Sequence, residues 1–280
     1  MEFIILGSGG CVALPKPLCK CRVCEEAREK GNPYSRFGCS IFFKDLNMLV
    51  DTPEDIVHSL NFFNIEEIET VLYSHMDPDH TLGMRVFEQL RLNWFDVFEG
   101  KTCTNPIKVI AMEHVMKDLN HIRSKYGSFL DYYEKARNLI KRDIVNDSII
   151  LKDIKISFIS AGIATVFVFE KDLKKVIYAP CDVKPFPENK IFEKANYMII
   201  GNTVVGNILK DGYELKEGNP LNEELFNMEE ILKLKNKFNI DKVIITHLEE
   251  DWGKSYDDYL KLEQEYSNIF FAYDGMKIKL

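Results

Sequence analysis

Short apolar, β-branched runs recur along the chain, and each stops at a cluster of polar residues. Phe3–Leu6, Ser40–Phe43, Asn47–Val50 and Glu69–Tyr73 read as strands in the first part. Ile154–Ser160, Thr165–Phe169, Lys175–Ala179, Tyr197–Ile200 and Lys242–Thr246 read as strands in the second. Several of these runs are apolar throughout rather than alternating, which suits strands covered on both faces. Helical spacing marks residues 22–30, 55–61 and 223–238, with a shorter helix over 189–194. Residues 84–145 carry helical spacing and many charges, and are expected to form a helical insert over the polar ends of the strands. Residues 269–278 suggest a terminal hairpin turning at Asp274-Gly275. Repeats and low-complexity linkers are absent, so residues 1–280 are expected to be one α/β domain.

The densest polar cluster follows Glu69–Tyr73: Ser74-His75-Met76-Asp77-Pro78-Asp79-His80. Pro78 cannot continue a ladder, so the cluster belongs on a loop at the strand end. Two imidazoles and two carboxylates so close together suit Zn, Mn or Fe better than a plain solvated loop. Lys175–Ala179 likewise delivers Asp182, and Lys242–Thr246 delivers His247. Asp51 ends another strand beside Thr52-Pro53, where it reads equally as a turn residue or as a hydrogen-bonding support for the ligand loop.

Composition adds limits. Apolar residues make up 46% and charged residues 29%, and the net charge is −8. That balance argues against nucleic acid as the partner without closing the option. No apolar run approaches the ~18 residues of a membrane span. The N-terminus lacks the basic segment and cleavage site of a signal peptide, which suggests the cytoplasm. Of seven cysteines, three form Cys19-Lys20-Cys21-Arg22-Val23-Cys24, a spacing that in a reducing compartment favours metal over disulfide and needs a fourth donor. Cys11, Cys39, Cys103 and Cys181 stand apart and read as small buried residues. Gly7, Gly9 and Gly10 are followed by Pro15 and Pro17 rather than a helix, so a dinucleotide-binding turn does not fit. Tyr126, Phe129, Tyr132 and Tyr133 suit core packing better than a substrate mouth, and His114 and His121 read as surface residues.

The order of strand-end ligands (His75 to His80, then Asp182, then His247) resembles the metallo-β-lactamase superfamily, whose loop reads His-x-His-x-Asp-His. Leu6-Gly7-Ser8-Gly9-Gly10, Cys19, Cys21, Cys24, Cys39-Ser40 and Asp274-Gly275-Met276 are similar to the phosphoribosyl cyclic phosphate phosphodiesterases of phosphonate catabolism. The resemblance implies a four-layer αββα sandwich with two divalent metals (Zn, Mn or Fe) on His75, Asp77, Asp79, His80, a shared Asp182 and His247. It implies hydrolysis of a cyclic or small phosphodiester by a metal-bound hydroxide, with Asp79 and Asp182 as the catalytic carboxylates. A structural Zn is implied on Cys19, Cys21, Cys24 and Glu250, the last standing where the family has a His. A tRNA-processing nuclease, a lactonase or a degenerate metal-binding protein are the alternatives, and a homodimer stays open. Three departures bear on that choice. Asp77 stands for the loop's second His, Ser160-Ala161-Gly162 supplies no mid-chain His, and Asn202-Thr203-Val204 lacks a further one.

Overall fold

The computed structural model describes residues 1–125 and 127–280. Two seven-stranded sheets pack face to face. The first runs, in order, Lys277–Lys279, Glu2–Gly7, Ser40–Phe43, Met48–Val50, Thr70–Leu72, Ile107–Ala111 and Ile140–Ile144. The second runs Ile269–Phe271, Lys242–Ile245, Tyr197–Ile200, Lys174–Ala179, Ala164–Lys171, Ile154–Ala161 and Ser148–Leu151. Between them lies the main core, where Phe3 stacks on Phe43 at 4.2 Å and Phe169 from the other sheet meets both rings edge-on. The opposite faces are also covered. Ile56, Leu60 and Val115 lie against the first sheet, and Phe192, Ile231, Phe238 and Tyr259 against the second. Double coverage is why these strands read as unbroken apolar runs, and the layers make an αββα sandwich.

Strand direction positions the polar clusters. Lys174–Ala179, Tyr197–Ile200 and Lys242–Ile245 run parallel, as do Met48–Val50 and Thr70–Leu72. Parallel strands finish at the same sheet edge, so the residues just past their ends collect there.

The structure revises three expectations. Residues 84–145 hold short helices, among them Val86–Arg91 and Glu113–Leu119, but also Ile107–Ala111 and Ile140–Ile144, which extend the first sheet. The helical insert is therefore partly sheet; side chains of these two strands that lie in the core obey tertiary burial rather than helical periodicity. The expected helix over 223–238 divides into Leu221–Glu224 and Met228–Lys237. Asn227 begins the second with a reciprocal capping box to Glu230, and Phe226–Asn227 pairs with Thr203–Val204.

The terminal hairpin does not form either. Ile269–Phe271 belongs to the second sheet and Lys277–Lys279 to the first, so the chain crosses between layers. Asp274 serves that crossing. Its Oδ1 accepts from the Ser8 N–H and hydroxyl, at 2.8 and 2.7 Å, and its Oδ2 accepts from the Phe37 N–H at 2.6 Å. Among the described residues no helix is long and apolar enough to cross a membrane.

Asp274→Asn puts an amide donor against one of these buried donors and should cost about 1–3 kcal/mol. Thermal denaturation should show a midpoint lower by several degrees; an unchanged midpoint would contradict this role.

Candidate metal centre

Asp51 is fully buried and its backbone turns left-handed (φ 64°) as it leaves Met48–Val50. Its carboxylate accepts from the Ser74 N–H at 2.8 Å, from the Ser74 hydroxyl at 2.6 Å and from His80 Nδ1–H at 2.9 Å. Because the Ser74 hydroxyl proton is spent on Asp51, its oxygen accepts from His75 Nδ1–H at 2.8 Å. Both imidazoles are thus held with Nε2 directed into the site. Asp182 and His247 also leave their strands with left-handed backbones, φ 53° and 54°. Gly201 lies between them, where a Cβ would collide with the Pro180 carbonyl and His247.

All six ligand candidates converge. His75 Nε2 lies 3.9 Å from Asp77 and 3.7 Å from Asp182. Asp79 lies 3.4 Å from His80 Nε2 and 3.1 Å from His247 Nε2. Their ligand atoms form one set of His75, Asp77 and Asp182 and another of Asp79, His80 and His247, each set within 4.8 Å. Asp182 groups with the first set alone.

A seventh residue joins them. Cys181 Sγ sits 3.2 Å from His75 Nε2 and 3.2 Å from His80 Nε2, so this buried cysteine is part of the cluster rather than packing filler. Electrostatics fit a cation site. Burial opposes it, but His247 and His80 hold the Asp79 carboxyl well below its usual range. Burial likewise opposes protonation of His80 and His247, yet Cys181 and the neighbouring carboxylates push both up. Burial and the adjacent Cys181 raise Asp182 to about 6. Anions crowded around buried imidazoles are a donor set that divalent cations would satisfy.

The cysteine cluster also assembles. Glu250 Oε1 lies 3.4, 3.2 and 3.2 Å from the sulfurs of Cys19, Cys21 and Cys24. These four donors match the count for a tetrahedral zinc. Lys210 Nζ reaches the same Glu250 oxygen at 2.5 Å and Cys19 Sγ at 3.4 Å. Burial opposes it, but Lys210 and the three thiols hold Glu250 at about 2.

A cavity of about 590 Å³ opens over the first cluster. Its floor is Asp77, Asp79, Cys181, Asp182 and His247, and its apolar wall is Leu209, Leu221, Leu225 and Trp252. Nothing from residues 84–145 lines it, so the insert does not cover the metal face as expected. Phe129, Tyr132 and Tyr133 line a different cavity with Met84 and Arg85, and Tyr126 lies outside the described residues. Besides Cys181, sequence reasoning missed Glu249. Its carboxylate takes the Cys11 N–H at 2.9 Å, the Val12 N–H at 3.3 Å, and lies 3.3 Å from His247 Nδ1. Each adjoins or nearly adjoins a strand-end ligand, but that position alone does not separate a site residue from a core or turn residue.

No protein-family model and no curated protein matches the sequence. Solved structures do. Zn²⁺-bound PqqB from Methylobacterium extorquens superposes with a TM-score of 0.75 at 16% identity, covering 100% of both chains. A diphosphatase of the PhnP family gives 0.70 at 17% identity, covering 99% of this chain and 96% of the other. Human tRNase Z, short form, gives 0.61 at 12% identity, covering 100% and 99%. The metallo-β-lactamase fold protein YhfI from Bacillus subtilis gives 0.62 at 13% identity, covering 99% and 98%. With its paired seven-stranded sheets, helical outer layers and strand-end cluster, this chain has the metallo-β-lactamase fold.

Proposed function

We propose that the protein is a metal-dependent hydrolase of small phosphodiesters. The observation that carries this is the convergence of seven donors from three chain segments, five of them on the floor of one cavity. His75, Asp77 and Asp182 would hold one divalent cation and Asp79, His80 and His247 another, with Cys181 between. Bound there, such ions supply Lewis-acid chemistry and a nucleophile at neutral pH. The chain's own contribution is orientation: Asp51 and Ser74 fix the imidazoles, Glu249 sits behind His247, and Leu209, Leu221, Leu225 and Trp252 form an apolar wall beside them. Cys19, Cys21, Cys24 and Glu250 would hold a structural zinc.

Two features favour a small substrate over nucleic acid. The cavity is compact, and its lining carries six carboxylates against one lysine, Lys210, already engaged by Glu250. A phosphodiester is the class favoured by the family resemblance, and a diphosphatase, which also acts at phosphorus, is among the structural neighbours. One observation favours a second reading, a metal-binding protein without turnover: Asp77 replaces a histidine and no mid-chain histidine reaches the site.

Purified protein should carry close to three metals per chain and hydrolyse bis(p-nitrophenyl) phosphate with added zinc or manganese. Turnover should vanish in Asp182→Ala; turnover with neither metal in a fully loaded protein would contradict the hydrolase reading. Asp51→Asn should weaken metal affinity by roughly 10–100-fold, measured by chelator competition, because His80 loses its fixed tautomer. Unchanged affinity would remove Asp51 from the account.

A further inference from the structure

We infer that Cys181, rather than Asp182, is the ligand shared between the two cation positions. The inference rests on the metal-centre reading above and extends it. Asp182 is 3.7 Å from His75 Nε2 and groups with His75 and Asp77 alone. Cys181 Sγ is equidistant from His75 Nε2 and His80 Nε2, at 3.2 Å each, and those histidines belong to different sets. Both Nδ1 atoms are engaged, by Ser74 and Asp51, so both Nε2 atoms face the sulfur. A thiolate in that position lies where two cations, one beside each histidine, could share it.

Donor counts agree. Cys181 groups with His75 and His80, one histidine from each set; each position has three protein donors without it, and sharing it would bring each to the four of a tetrahedral zinc site. The sulfur also changes metal preference. A site built from His75, Asp77 and Asp182 alone is oxygen-rich and suits manganese or iron, whereas a shared thiolate shifts both positions toward zinc. The shared sulfur is thus the chain's substitute for the histidine that its loop and mid-chain strand do not provide.

Cobalt(II) loaded into the full chain reads this directly, because thiolate–cobalt bonds give near-ultraviolet charge-transfer absorption. Three such bonds come from Cys19, Cys21 and Cys24, and two more from a shared Cys181. Cys181→Ser should therefore remove about two fifths of the band, and Cys39→Ser none. A loss of about one quarter means that Cys181 binds one metal only and overturns the bridge. Three cobalts with an unchanged band overturn it while leaving the hydrolase reading intact; one cobalt per chain overturns both. X-ray absorption of the unmodified zinc protein tests the same count without a variant: five sulfur contacts over three zincs support the bridge, and four or three overturn it.

Discussion

One buried carboxylate organises this site. Asp51 accepts three hydrogen bonds, and through them it fixes the loop backbone at Ser74, the tautomer of His80 and, by relay through the Ser74 hydroxyl, the tautomer of His75. Its own placement depends on the sandwich: Met48–Val50 and Thr70–Leu72 run parallel, so Asp51 and Ser74 emerge side by side. The second sheet then brings Cys181, Asp182 and His247 against that loop from the opposite layer. The separation of the layers, set by Phe3, Phe43 and Phe169, therefore determines whether the donors meet.

The cysteine cluster and the cavity are mechanically joined. Lys210 touches Glu250 and Cys19 at one end of its segment, while Leu209 packs with Leu225 and Trp252 in the cavity wall. Trp252 itself follows Glu250 by two residues. A zinc among Cys19, Cys21, Cys24 and Glu250 would thus brace the wall that closes over the floor, although it takes no part in the chemistry.

Much of this was legible in the sequence because apolar runs that stop at His or Asp leave little choice about what the strand ends hold. That His75, Asp77, Asp79, His80, Asp182 and His247 would come together was readable on that ground, and that Glu250 would meet the three cysteines from its position in the resemblance. Cys181 was not, since a single cysteine after Pro180 has the signature of any small core residue, and only the fold shows that two imidazoles face it. Ile107–Ala111 and Ile140–Ile144 were hidden by surrounding charge and short helices. Asp274-Gly275 has a hairpin's local chemistry, but the Asp274 side chain is spent on Ser8 and Phe37, and the chain changes sheets instead. Local patterns reported which residues end strands; they did not report which strands face each other.

The most direct test of the account is anomalous diffraction at the zinc edge from crystals of protein purified with zinc. Three peaks are expected, one among Cys19, Cys21, Cys24 and Glu250, and one on each side of the Cys181 sulfur. A single peak at the cysteine cluster, with none near His75 and His80, would contradict it.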